Sequence, residues 1–319
     1  MSLLQNLDHE EAGAVEGVNT SFIWLEVTGK CQLQCEHCYA DSGPSGSHGR
    51  MSEDDWIKVI DDAANAGVEM VQFIGGEPTL LPALPSLIRH ALLRELKVEI
   101  FSNLVLIRPE VWEVLMLPGV SLATSYYSTD GEIHDLVTGR TQSHQKTKSN
   151  IAQAVSLGIE LRVGIIDLTD SQDVEAARQE LIDLGVGEDR IGVDRLRGVG
   201  RGLSLPTEPL SQLCGRCADG VLAVMPDGTA HPCVFSRQEE FTVGNVRESG
   251  LANVLSGVKL RNTRELMRDE FESRDTNPDY EVRDCQPDCH PSCAPSCSPS
   301  CSPSCIPMGN CRPVVGPPY

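Results

Sequence analysis

The chain has 319 residues, of which 40% are hydrophobic and 23% charged, and its formal net charge is −20. This length is enough for one large domain with a smaller one appended, and the composition is typical of a globular protein. The acidity argues against a nucleic-acid partner, because phosphate backbones are bound by clustered lysine and arginine. No apolar run is long enough to cross a membrane, and the acidic first residues lack the basic region of a signal peptide. We therefore expect a cytoplasmic protein without a membrane partner.

Strand-like and helix-like runs alternate between residues 21 and 202. Apolar runs predict strands at 21–27, 68–74, 97–101, 120–126, 159–166 and 190–196. Helices are predicted near 52–66, 84–93, 109–116, 146–157 and 172–184, with a long polar loop before the fourth of them. Ser52 and Asp55 form a candidate capping box, and Gly67 ends the first helix. Strict alternation predicts an α/β fold with a parallel sheet, either a partial barrel or a doubly wound sheet, with its chemistry at the carboxyl ends of the strands.

The alternation of predicted strands and helices ends after residue 202. The segment 203–260 carries a hairpin signal with Asp227-Gly228 at the turn and a short predicted helix near Leu251–Leu255. Residues 261–284 are a charged helix and linker, and residues 285–319 are a low-complexity Cys-Pro tail. With an N-terminal extension over 1–20 and a core over 21–202, we expect five segments.

The thirteen cysteines fall into three groups, within residues 31–38, within 214–233 and after residue 284. Their number is odd, and a protein without an export signal keeps its thiols reduced, so disulfides are not expected. The spacing predicts metal sites at the two ends of the chain, with scaffold between them.

The first group reads C-x3-C-x2-C, formed by Cys31, Cys35 and Cys38, and is followed by the aromatic Tyr39. Thiolates this close together favour an iron–sulfur cluster or zinc, and a zinc site could use His37 as its fourth ligand. The spacing, directly after the first strand, resembles the radical S-adenosylmethionine (SAM) superfamily. This resemblance implies a partial (β/α)6 barrel and a [4Fe–4S] cluster whose open iron binds the amino and carboxylate groups of SAM.

Further motifs follow the order that this family shows. Gly75-Gly76-Glu77-Pro78 after the second strand resembles its GGEP motif, which implies contact with the amino group of SAM. Glycines let backbone approach a ligand closely, and Glu77 offers acceptors to an ammonium group.

Polar residues after later strands also match the family. The resemblance implies that Asn103, with Ser102, lies near the ribose, and that Ser125 and Lys146 contact the carboxylate of SAM. The alternative for each is ordinary loop or helix-cap chemistry. The glycine-rich stretch 195–202 (RLRGVGRG) resembles the family segment that borders the adenine.

The second group comprises Cys214, Cys217 and Cys233, with Gly228 placed five residues before the last of them. This pattern resembles the start of the SPASM or twitch extension of many radical SAM enzymes, which implies an auxiliary iron–sulfur cluster; a zinc ribbon is the alternative. An auxiliary cluster takes four ligands and this group supplies three, so we expect the fourth cysteine to come from the tail.

The tail departs from the usual SPASM ending, because its cysteines repeat every four residues before a longer gap. Prolines inside the repeat exclude a regular helix. The cysteine count allows one or two auxiliary clusters, and a disordered metal-binding tail without a catalytic role is the alternative. The candidate ligands are Cys285, Cys289, Cys293, Cys297, Cys301, Cys305 and Cys311.

The resemblance implies an oxidoreductase that cleaves SAM to a 5′-deoxyadenosyl radical and modifies a peptide, by a cross-link, a thioether or epimerisation in a ribosomally made product. Val234 stands where sulfatase-maturing relatives carry an aspartate, which counts against that activity. A small-molecule substrate and a non-enzymatic iron–sulfur protein are the alternatives. About 20 residues precede the first strand, too few for a leader-binding domain, so the expected partners are a separate leader-binding protein and an external electron donor of flavodoxin or ferredoxin type.

Overall fold

In the computed structural model of the chain, the described residues are 20–168, 172–202, 209–213 and 215–276. The strands within these ranges are β1 (Phe22–Thr28), β2 (Met70–Gly75), β3 (Lys97–Phe101), β4 (Val120–Tyr126), β5 (Glu160–Asp167), β6 (Ile191–Arg195), β7 (Val221–Val224), β8 (Thr229–His231) and β9 (Gly244–Asn245). The α-helices are α1 (Glu53–Asn65), α2 (Leu84–Leu93), α3 (Pro109–Leu115), α4 (Gly131–Thr138), α5 (Ser143–Ser156), α6 (Val174–Asp183), α7 (Val246–Ser249), α8 (Leu251–Ser256) and α9 (Val258–Thr276).

The strands form one sheet in the order β6-β5-β4-β3-β2-β1-β7-β8-β9. The first six are parallel, and each pairs with the strand next to it in the chain. Because the order from β6 to β1 never reverses, these six core strands have no switch point of the doubly wound kind among them. Of the two predicted architectures, the partial barrel is confirmed.

Alternate side chains of each strand face opposite sides of the sheet. In β1, Ile23 and Leu25 belong to the large core between the sheet and its helices. Phe22 and Trp24 belong to a second cluster on the other face, the lumen of the barrel. Met267 and Phe271, one turn apart on α9, pack into this second cluster, so α9 covers part of the lumen.

The predicted capping box of α1 is confirmed: Ser52 caps the helix and Asp55 reaches back to the Ser52 backbone. The long polar loop predicted after β4 is wrong, because it contains α4. Asp130 caps α4 through the amides of its first turn, and Gly139 ends it in the left-handed conformation. This acid–glycine pair was the overlooked signal. The next helix, α5, begins at Ser143 rather than 146.

The predicted hairpin at Asp227-Gly228 is confirmed, and β8 pairs antiparallel to β7. The strand β7 itself pairs parallel to β1, so the hairpin extends the core sheet. An ion pair between Glu26 of β1 and Arg237, after β8, fixes this junction. Among the residues with described structure, we find no helix that is both long and apolar enough to cross a bilayer.

Candidate functional site

A cavity lies at the carboxyl ends of β1–β6. Seven of the residues predicted to bind the first cluster or SAM lie in its wall, namely Cys31, Cys35, Cys38, Gly75, Gly76, Asn103 and Ser125. The fold therefore gathers side chains from four different strand ends around one space, as expected for a parallel sheet.

Two of the three thiols in the loop after β1, those of Cys31 and Cys38, accept hydrogen bonds. The Leu33 amide donates to Cys31 Sγ at 3.4 Å, and the Ser42 amide donates to Cys38 Sγ at 3.4 Å. Asn103 Nδ2 lies 3.5 Å from Cys31 Sγ. Such N–H···S contacts are typical of sulfurs that bind iron–sulfur clusters, and they tune the cluster potential.

Burial raises the pKa of both Cys31 and Cys35 to about 12, and the neighbouring Cys38 adds to each rise. Without metal these thiols hold their protons, so metal binding must displace them. A single zinc ion would need its ligands around one point, and the part of the chain that the structure describes has no such group of three His, Cys, Asp or Glu side chains. Three thiols spread around one cavity fit the larger [4Fe–4S] cube.

Arg201 fixes the loop that carries the cysteines (the cluster loop, residues 29–43). Its guanidinium donates to the Cys35 carbonyl at 2.8 Å and the Ser42 carbonyl at 2.6 Å, and its backbone amide donates to the Cys38 carbonyl at 3.0 Å. A Cβ at Gly200, where φ is +59°, would lie 2.4 Å from that same carbonyl. Part of the stretch predicted to border the adenine therefore packs against the cluster loop.

Gly75 and Gly76 pack closely against the backbone of Thr28 and Lys30. A Cβ at Gly75 would lie 2.4 Å from the Thr28 carbonyl, and one at Gly76 would lie 2.4 Å from the Lys30 carbonyl. The Gly76 amide donates to the Thr28 carbonyl at 2.7 Å. The glycines thus let β2 and the cluster loop meet, while both also line the cavity.

Glu77 is fully buried and lies outside the cavity wall. Its carboxylate accepts from the Thr79 amide and hydroxyl, the Ser102 hydroxyl and the Asn103 amide at 2.7–3.1 Å. Burial raises its pKa, while these bonds oppose the rise. Glu77 therefore positions wall residues such as Asn103 without contacting the cavity itself. Pro78 is buried in the turn that follows and does not line the cavity either.

The structure does not bring Lys146 to the cavity. Its side chain is exposed on α5, whereas the next residue, Thr147, is buried and lines the wall. Thr147 Oγ1 donates to the Asn103 carbonyl at 2.9 Å. One step along a helix turns a side chain by about 100°, so Lys146 points away from the buried face on which Ser143 and Thr147 lie.

The second cysteine group reaches the cavity through the residues that follow it. Cys217 and Cys233 are buried, with their sulfurs 3.2 Å apart, and Val234 and Phe235 line the cavity. The ring of Phe235 packs against Tyr39, with centroids 5.1 Å apart. Cys214 and the tail cysteines lie outside the described residues.

Several lining residues were missed by the sequence reasoning, although a signal existed for them. They lie on the strand face opposite the helices or just beyond a strand end, so the two-residue strand period would have marked them. These residues are Trp24, Gln72, Phe101, Tyr127, Ile166 and Asp194. His134 also lines the cavity but lies on α4, the helix that the sequence reasoning overlooked.

A parallel partial barrel with a three-cysteine loop at its mouth and a glycine pair on the next strand defines the radical SAM class. The sequence profile of the radical SAM superfamily matches residues 25–179, and that of the SPASM iron–sulfur cluster-binding domain matches residues 214–298. The chain belongs to the radical SAM superfamily and carries a SPASM domain. The cofactors of these two domains are a [4Fe–4S] cluster with SAM and auxiliary iron–sulfur clusters.

Relatives of known activity share parts of the chain. It is 32% identical over 125 residues to PqqA peptide cyclase of Rhodopseudomonas palustris, covering 39% of this chain and 33% of that protein. It is 25% identical over 258 residues to the subtilosin biosynthesis protein AlbA of Bacillus subtilis, covering 70% of this chain and 56% of AlbA. The chain thus spans about a third to a half of these two relatives.

Among solved structures, SuiB of Streptococcus suis bound to SAM superimposes with a TM-score of 0.65 at 16% identity, covering 78% of this chain and 68% of SuiB. At this identity the likeness shows the fold alone. It matches the partial barrel described above.

Proposed function

We propose that this enzyme modifies a peptide substrate by radical chemistry, forming a cross-link, a thioether or an epimerised residue in a ribosomally made product. One observation carries the proposal: the cavity that holds Cys31, Cys35 and Cys38 is also lined by Val234 and Phe235, directly after Cys233. A substrate in this cavity would contact the cluster loop and the auxiliary segment together. One relative is a peptide cyclase and the other acts in the biosynthesis of the bacteriocin subtilosin, which supports a peptide substrate.

Each set of residues has its own proposed role. Cys31, Cys35 and Cys38 would hold the first cluster, and Gly75, Gly76, Asn103 and Ser125 would contact SAM. When bound, this cluster and SAM supply a 5′-deoxyadenosyl radical that takes a hydrogen atom from the substrate. The chain's own residues orient the substrate and exclude water from a mostly apolar cavity.

The auxiliary ligands are proposed from both ends of the C-terminal third. Cys217 and Cys233 would share a cluster with Cys214 and a tail cysteine. The SPASM match ends at residue 298 and so includes the first four cysteines of the repeat. The boundaries at 202/203, 260/261 and 284/285 are proposed from the changes in sequence pattern at these positions.

The proposed partners are a peptide, a separate leader-binding protein and an electron donor of flavodoxin or ferredoxin type. A reducing cytoplasm would keep thirteen thiols available for metal. Single-electron reduction from outside is required because no side chain in the cavity is a reductant strong enough to start SAM cleavage.

The test uses anaerobically reconstituted protein with SAM, a chemical reductant and each short open reading frame found beside its gene, supplied as a synthetic peptide. We expect 5′-deoxyadenosine and a peptide of changed mass or chirality. Replacing Cys31, Cys35 and Cys38 together by alanine should abolish both products, whereas the control Gln145→Ala, at an exposed position of α5, should keep them. Unchanged SAM cleavage in the triple variant, or cleavage with no peptide product, would contradict the proposal.

A further inference from the structure

The cavity has two unlike parts. One part is the cluster loop with the glycines and polar residues proposed for SAM. The other lies deeper in the barrel lumen, and its wall is apolar and aromatic, formed by Trp24, Ile74, Phe101, Ile166 and Phe235. We call this second part the lumen pocket.

Charge in the lumen pocket is balanced within the protein. Asp194 is the one carboxylate among the described lining residues, and its Oδ2 lies 3.8 Å from Arg197 Nε. The Arg197 guanidinium in turn lies over the ring of Phe235, at 4.6 Å from its centroid. A buried pair of opposite charges leaves little attraction for a charged ligand. The pocket therefore suits an uncharged group.

Gln72, on β2, supplies polarity at the bottom of this pocket. Its side chain forms part of the wall and is 1% exposed. Gln72 Nε2 donates to Glu99 Oε1, and Glu99 accepts two further bonds of 2.8 Å from Arg162. Because an ionised carboxylate only accepts hydrogen bonds, this arrangement fixes which end of the Gln72 amide faces Glu99.

The opposite end of that amide has nothing to bind. Gln72 Oε1 is buried and has no hydrogen-bond partner. A buried acceptor without a donor costs about 1–3 kcal/mol, so such atoms in native proteins are generally met by water or a ligand. The lumen pocket thus combines an apolar wall with one unmet acceptor.

We propose that the lumen pocket binds an uncharged, apolar side chain of the substrate that carries a single N–H or O–H donor, and that Gln72 Oε1 accepts from this donor. Indole and phenol groups have this chemistry. The assignment rests on the proposed peptide-modifying function and adds the class of side chain that the enzyme selects.

The experiment measures binding of matched fragments to the full reconstituted enzyme with SAM, by anaerobic equilibrium dialysis. Indole is compared with 1-methylindole and phenol with anisole, since each pair differs in the donor. We expect the donor-bearing member of at least one pair to bind about five- to tenfold more tightly, as one net hydrogen bond provides. A preference in one pair alone identifies the indole-like or the phenol-like side chain.

Gln72→Leu removes the acceptor at similar volume and should abolish this preference, while Gln145→Leu, on the exposed face of α5, should keep it. The wild-type comparison needs no variant, so it stands even if Gln72→Leu fails to fold. Equal binding within both pairs, as expected if water alone meets Oε1, would overturn the proposal, and so would a preference that survives in Gln72→Leu. A missing peptide product with an intact fragment preference would count against the proposed function only.

Discussion

Arg201 illustrates at the residue scale how a side chain distant in sequence shapes the site. It lies some 160 residues after Cys35 and Asp41, yet binds the Cys35 carbonyl and the Asp41 carboxylate. Hydrogen bonds from a charged donor to buried carbonyls contribute more than neutral ones. The cluster loop therefore depends on the end of the barrel for its shape.

We predict that Arg201→Gln lowers the free energy of unfolding by about 2 kcal/mol and reduces iron retention, because two cluster-loop carbonyls lose their donor. Thermal unfolding and iron analysis after anaerobic reconstitution test this. Arg268→Gln, with a side chain 62% exposed, is the matched control and should match wild type. Full iron retention in Arg201→Gln would show that the cysteines shape the loop unaided.

His134 provides a pH-dependent prediction. Burial, with a contribution from His144, lowers its pKa to about 4 from 6.5. Between these values the unfolded chain binds a proton that the folded protein does not, so the unfolding free energy falls as the pH falls below 6.5. Lowering the pH from 7 to 5 therefore reduces the free energy of unfolding by about 2 kcal/mol through this group.

We therefore expect His134→Gln to lose less stability than wild type over that range, by thermal unfolding in matched buffers. Between pH 7 and 8.5 the two proteins should show parallel curves, which serves as the internal control. Identical curves from pH 7 to 5 would mean that His134 takes up its proton in the folded state.

At the scale of elements, the hairpin β7–β8 and the core strand β1 are joined by both backbone pairing and charge. Glu26 of β1 has a side chain only 2% exposed, and Arg237 after β8 pairs with it. The Arg237 guanidinium also lies 5.7 Å from the centroid of Tyr39 in the cluster loop. Glu26 raises the pKa of Arg237, which stays charged.

Replacing one member of the Glu26–Arg237 ion pair should destabilise the protein more than replacing both. We predict that Arg237→Met destabilises the protein by about 3–5 kcal/mol, because Glu26 is left buried without its countercharge. The double variant Glu26→Met with Arg237→Met should recover most of that loss. Thermal unfolding of the wild type, both singles and the double forms the complete cycle. A double variant less stable than Arg237→Met would contradict the argument.

At the scale of the whole molecule, the candidate metal ligands lie near the two ends of the chain, within residues 31–38 and from residue 214 onward. The three proposed ligands of the first cluster lie on one loop, whereas Cys217 and Cys233 would need further ligands to hold a second cluster. The SPASM match runs into the cysteine-rich tail, to residue 298. This overlap supports the proposal that the tail contributes ligands to the auxiliary sites.

Truncation after Asp284 should lower iron from roughly eight to twelve per chain toward about four, and stop peptide modification. SAM cleavage to 5′-deoxyadenosine should continue, because the first cluster keeps its own ligands. Single tail substitutions should be milder, since the four-residue repeat offers a neighbouring thiol, with Cys311 the expected exception. A truncated enzyme with full iron and normal product would show the tail to be dispensable.

The sequence by itself determined the local pattern. Apolar runs and their spacing predicted all six core strands, because a strand buried on both faces reads as a continuous apolar segment. The cysteine spacing and the GGEP motif indicated the family, since the chemistry of a cluster and SAM demands those residue types close together in the chain.

Only the tertiary structure decided which side chains face the site. Glu77 turned inward to four donors, two of them from residues 102 and 103. Lys146 faces outward, because the buried face of α5 is formed by Ser143, Thr147, Ile151 and Ala154. Gln72 acquired its fixed orientation from Glu99 and Arg162, on two other strands. These outcomes depend on contacts between residues far apart in sequence, and strand pairing and helix phase create such contacts only when the chain folds.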